Sequence, residues 1–198
     1  MIHQVARRWI SVLIEQGYLE EERQDWYLYA VERRLGYCVA FLWLVAVGLV
    51  FRAPLQTLLF FGSAVFLRSR TGGWHASTSG MCQVLSFAVT ATVMWAVCTV
   101  PVQLAWLICL VMMPVCCAVV LFCAPVNHKN LHLTRQELQA NHNKSVQRLL
   151  LLCAVCALLH FLLPQSTLGI SVAAGMAVTS AGIVAAKFVG EETIDETK

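Results

Sequence analysis

Residues 68–82 read RSRTGGWHASTSGMC, and apolar runs lie on both sides, over 55–67 and 81–100. A chain that leaves an apolar phase, shows fifteen mostly polar residues and re-enters is built to pass a membrane more than once. The same stretch carries a chemical pair. His75 is of the type that exchanges protons near neutrality. Cys82, seven residues on, is a candidate nucleophile. Gly72 and Gly73 precede the histidine and permit backbone turns closed to other residues. Ser77, Thr78 and Ser79 are good helix N-cap types, so an apolar helix is expected from about Met81. Cys82 would then lie in its first turn, where free N–H groups and the helix dipole favour a thiolate.

Composition supports a membrane protein. The 198 residues are 59% hydrophobic and 13% charged, against about 45–50% and about 25% in soluble domains. A net charge of +3 is too small to argue for a nucleic-acid partner. One domain is expected at this length. Residues 1–34 form an amphipathic helical region, 35–189 an all-α polytopic bundle and 190–198 a tail.

Six apolar segments are expected to span: roughly 35–51, 55–67, 81–100, 102–122, 149–163 and 168–189. The second is short, and either spans with Arg68 snorkelling or is partly re-entrant. With both termini inside, all of the 14 Lys and Arg except Arg52 fall on the inner side. That asymmetry puts residues 68–82 and 123–148 together on the cytosolic face of a multi-pass protein.

Ile2, Val5, Trp9, Val12 and Leu13 recur at helical spacing. The helix they form lies either on the lipid surface or against the protein's own cytosolic side. In the second polar loop, Thr134 and Glu137 have capping-box spacing, so a helix from about Arg135 should run on into the fifth span. His128 and His132 are four apart, but no carboxylate or thiolate lies at matching spacing, and no metal site or cofactor is expected. His160 should sit near the outer interface.

Eight of the nine cysteines lie in or beside apolar runs and read as small packing residues. Cys153 and Cys156 form a CxxC inside LLLCAVCALL, with no redox fold around it. Cys82 is the one cysteine in a polar, glycine-flanked setting. Met81 and Cys82 N–H groups are candidate oxyanion donors. Ser79, Gln83, Glu32 and Asn127 are polar enough to orient His75, and nothing selects among them.

Arg68-x-x-x-Gly72-Gly73-x-His75, followed by Cys82, resembles the accessory gene regulator B family. Residues 124–130, APVNHKN, are similar to that family's APV-(D/N)-x-x-N segment. The resemblance runs from about Tyr29 to Lys187, mostly as order and hydropathy. It implies a bacterial cell-membrane cysteine endopeptidase that cuts a short amphipathic signalling-peptide precursor in quorum sensing. It further implies an acyl-enzyme on Cys82, release of a thiolactone or lactone, and a homodimer. Arg68 and Arg70 match basic positions of the motif. Their role is either to bind acidic parts of the peptide or to anchor the loop to anionic lipid. Two other readings stand beside this one: a small transporter or exporter component, and a non-catalytic membrane scaffold. Few ionisable residues lie mid-span, which argues against transport.

Overall fold

The computed structural model describes residues 2–18, 24–74, 78–127 and 134–189. Among the described residues the regular elements are α-helices: α1 (Ile2–Glu15), α2 (Gln24–Val50), α3 (Pro54–Thr71), α4 (Ser79–Thr99), α5 (Val102–Cys123), α6 (Arg135–Leu162) and α7 (Leu168–Phe188). Local signals set the ends. Pro54 opens α3, where its missing N–H costs nothing. Thr78 caps α4. Its hydroxyl accepts from Met81 N–H at 3.3 Å. Thr134 and Glu137 form the expected capping box, and α6 does run unbroken from it.

Among the described residues, four helices are long and apolar enough to cross a membrane: Gly80–Thr99, Val102–Cys123, Arg135–Leu162 and Leu168–Phe188. The first two expected spans fall short of that standard. The apolar part of α2 is the shorter stretch Arg34–Val50, and α3 ends on Arg68 and Arg70.

The bundle is organised around α7, which packs against α3, α5 and α6. Burial runs almost the whole length of α7, from Leu168 and Ile170 through Met176 to Ile183 and Ala186. By contrast α2, α4, α5 and α6 each turn large apolar side chains outward, among them Phe41, Trp95, Leu110 and Leu151. An apolar exterior around a small-residue centre is the pattern expected in lipid, where close backbone approach replaces the hydrophobic effect between helices. A Cβ on Gly175 would lie 2.0 Å from Ser63 Oγ and 2.5 Å from the Phe60 carbonyl. At that point α3 and α7 touch backbone to backbone. Ser63 donates to Val172 O at 3.2 Å and Thr179 donates to Ala64 O at 3.3 Å. Each such bond contributes roughly 0.6 kcal/mol in a membrane bundle, so close packing along the seam dominates.

The N-terminal helix α1 packs on α2. Ile10 is buried, while Trp9, Val12 and Leu13 point away from the protein. These three described residues of the apolar stripe are thus left free of the bundle, as a helix lying on a lipid surface requires.

Candidate active site

Four elements converge at one end of the bundle. The first is the last turn of α3 with residues 72–74, and the second is the segment 124–127. The others are the first half of α6 and the last turns of α7. Main-chain bonds join them. Val126 N–H donates to Thr71 O at 2.9 Å, and Trp74 N–H donates to Gly182 O at 2.9 Å. Arg68 donates through its guanidinium to the Trp74 carbonyl. His142 Nδ1 donates to Ala124 O at 2.8 Å, which holds the 124–127 segment against α6. Asn127 is buried at the end of that segment.

The two glycines are required by this geometry. Gly72 has φ 70° and Gly73 has φ 140°. Both values lie in the region that L side chains avoid. Space is short as well. A Cβ on Gly72 would meet Val126 O at 3.1 Å, and one on Gly73 would meet the Gly182 main chain at 3.4 Å. Residues 72–74 therefore thread between the 124–127 segment and α7.

The basic residues turn inward. Arg70 donates to Asn141 Oδ1 at 3.3 Å. Arg148 reaches across from α6 to Phe66 O at 2.6 Å and to Ser69 Oγ. Its charge stands 4.5 Å from the centre of the Phe66 ring, a cation–π contact. Arg68 and Arg70, the basic positions of the motif, each have a hydrogen-bond partner inside the protein.

On the other side of the histidine, α4 begins at Ser79 rather than Met81. Cys82 is half-buried and carries a free thiol at the end of the first turn. Its N–H already donates to Thr78 O at 3.1 Å, and Met81 N–H is taken by the Thr78 hydroxyl. This corrects the expected oxyanion donors: neither group is free to serve. Ser79 and Gly80 supply the other two N–H groups of that turn, which have no partner within the helix itself. Gln83 faces α2, its Nε2 lying 3.3 Å from where a Cβ on Gly36 would stand.

His75 and Ser77 lie outside the described residues, as do His128 and His132 and the side chains of Ser79 and Glu32. The described residues on either side of 75–77 are each held in place. Trp74 is bonded on its N–H and its carbonyl, and Thr78 caps a helix. Three peptide units hold His75 within about 11 Å of Thr78.

Sequence reasoning missed Gly182, Asn141, His142 and Arg148 as supports of this end. Only the course of α7 past residue 74 identifies Gly182, because its contribution is a main-chain carbonyl. The sequence places His160 at the interface. Its ring instead turns in against Gly169, and its Nε2 is buried.

The model of the accessory gene regulator B family matches residues 6–183. No curated protein and no solved structure matches the chain. A match over nearly the whole of a 198-residue chain goes well beyond the two short motifs. The chain belongs to the accessory gene regulator B family, and with its four membrane-length apolar helices it is a membrane protein of agr quorum-sensing peptide processing.

Proposed function

We propose that this protein is an integral-membrane cysteine endopeptidase acting on a short amphipathic precursor peptide, with Cys82 as nucleophile and His75 as general base. The observation that carries the reading is the anchorage of the described residues that flank 75–77. Trp74 is held by Gly182 and Arg68, and Thr78 starts the helix that presents Cys82. Such fixed supports are what a nucleophile–base pair needs, because an error of about 1 Å can cost roughly a hundredfold in rate.

His75 takes the Cys82 thiol proton as sulfur attacks the scissile carbonyl. Ser79 and Gly80 N–H groups stabilise the oxyanion, since the next two are already bonded. The intermediate collapses by breaking the C–N bond, and the leaving amine takes the proton from His75. A thioester to Cys82 remains. A thiol or hydroxyl of the peptide then attacks this thioester, giving a thiolactone or lactone and restoring the Cys82 thiol. Gly72 and Gly73 shape the approach to His75, and Arg68 positions it through Trp74.

In this reading α2 and α3 cross the bilayer with the other four helices, and both termini lie inside. The site then faces the cytosol of a bacterial cell, where the precursor is made and thiols stay reduced. The protein works as a homodimer.

Co-expression with a candidate precursor, read by mass spectrometry, tests the proposal. Cleavage should vanish in Cys82→Ala and in His75→Ala while both variants stay in the membrane. Normal processing by Cys82→Ala would overturn it.

A further inference from the structure

Cys109 on α5 meets Cys156 and His160 on α6 beside the first turn of α7. Their two sulfurs and one imidazole nitrogen all lie within 4.8 Å of one another. Both cysteines are free thiols, 4% and 1% exposed. Cys156 Sγ donates to Gly169 O at 3.3 Å, and it lies 3.8 Å from His160 Nδ1.

The histidine is what ordinary packing does not explain. His160 Nδ1 is 2.9 Å from the Cys156 carbonyl. A carbonyl only accepts, so Nδ1 carries the proton and Nε2 is a bare lone pair. That Nε2 is buried and has no hydrogen-bond partner. An apolar side chain would fill the place without leaving a buried acceptor unsatisfied. The neighbouring residue also makes way for the ring. A Cβ on Gly169 would stand 2.1 Å from His160 Cε1 and Nδ1. An imidazole held by one N–H on a main-chain carbonyl is the arrangement that orients metal-binding histidines.

We propose that Cys109, Cys156 and His160 bind one soft d10 cation, Zn(II) or Cu(I). Two sulfurs and one imidazole suit three-coordinate Cu(I), or Zn(II) completed by a fourth donor such as the nearby Gly169 carbonyl. Metal–sulfur bonds of about 2.3 Å and metal–nitrogen bonds of about 2.0–2.1 Å separate such donors by about 3.6–4.0 Å. The three donors, within 4.8 Å of one another, are somewhat wider than that, and the side chains rotate to close on an ion with His160 presenting Nε2. Binding converts two thiols to thiolates and releases two protons to water. Gly169 and Gly182 both lie on α7. Thirteen residues of helix separate them by about 20 Å. The ion consequently clamps α5 and α6 beside α7 at the end remote from residues 72–74. It stands independently of the peptidase reading.

The test uses the full chain, purified under reducing conditions and stripped with a chelator. Cobalt(II) added as a probe should bind one equivalent and give a thiolate-to-metal charge-transfer band. The band should disappear in Cys109→Ser and Cys156→Ser, and affinity should fall about tenfold or more in His160→Gln. It should persist in Cys82→Ala and in the Cys117→Ser/Cys153→Ser pair, whose sulfurs lie 3.7 Å apart. Competition with a zinc chelator and with a Cu(I) chelator decides which ion is retained. In the unmutated protein, the retained metal should protect Cys109 and Cys156, but not Cys98, from alkylation. Binding unchanged by the Cys109 and Cys156 substitutions would overturn the proposal, as would the absence of a charge-transfer band when cobalt(II) is added to the unmutated protein.

Discussion

Trp74 N–H donates to the Gly182 carbonyl at 2.9 Å, which ties the residue before His75 to the buried central helix. The Trp74 carbonyl is claimed in turn by Arg68, from the last turn of α3. One peptide unit on each side of Trp74 is thus held by a different helix.

Arg68→Ala removes one of these two ties. Processing should fall roughly a hundredfold, the scale of an ångström-sized misplacement of a catalytic group. The fall should lie in kcat more than in KM, because Arg68 acts on the loop and not on the peptide. Arg68→Lys should recover part of the rate, since an ammonium can still donate to the carbonyl. Single-turnover cleavage kinetics measure both. A loss confined to KM would assign Arg68 to peptide binding instead.

Gly72→Ala and Gly73→Ala force an L side chain into positive φ, which costs roughly 1–3 kcal/mol each. At Gly72 the added methyl also crowds Val126 O. Both variants should insert normally and lose most processing, because the strain relaxes by moving residues 72–74. A rate like that of the parent protein would show that this segment does not position His75.

Gly175→Ala sets two effects against each other. Alanine in a helix interior is favoured by about 0.5–1 kcal/mol over glycine. Its methyl would stand 2.0 Å from Ser63 Oγ and 2.5 Å from the Phe60 carbonyl. The second contact is main chain and cannot rotate away, so overpacking of about 1–3 kcal/mol should win. Thermal unfolding in detergent should shift downward. An unchanged midpoint would mean that α3 and α7 separate at little cost.

The capping box gives a pH prediction. Glu137 lies in the polar first turn of α6, well before the apolar run that begins at Leu149. The Thr134 main-chain N–H, and then its hydroxyl, hold the Glu137 carboxyl below its ordinary value. A depressed carboxyl contributes its stability above the unfolded value of about 4.3, and loses it as pH falls through the folded value. The first turn of α6 should therefore fray only on acidification below about pH 4. Thr134→Ala should raise amide exchange there by about fivefold at neutral pH, the usual worth of such a cap. Equal exchange in both proteins would remove the box from the account.

Much of the fold is written in local chemistry. The helix starts at Thr78 and Thr134 follow from hydroxyls placed before apolar runs, and proline marks the boundaries at Pro54 and Pro101. These signals act over one turn and survive in any tertiary context. The glycine pair was legible for the same reason, because positive φ is a property of the residue itself. The error at Met81 is equally local. Ser79 and Gly80 are polar and small, so hydropathy began the helix two residues late and left the wrong N–H groups free.

Other features depend on which helix lies beside which. Cys156 reads as apolar packing within a CxxC, yet its neighbours are Cys109 from another helix and His160 one turn on. The internal partners of Arg68 and Arg70 were not legible, because they are a main-chain carbonyl and Asn141. No pattern in sequence announces a carbonyl as a partner.

By itself, then, the sequence determined a helical membrane protein and its family motif, since hydropathy, capping and glycine torsions are properties of short segments. Only the tertiary structure decided that α7 is the centre, that Gly182 and Arg68 hold Trp74, and that Cys109, Cys156 and His160 share one site. Those relationships join residues far apart in the chain, and they exist only because small side chains such as Gly175 let the helices close on one another.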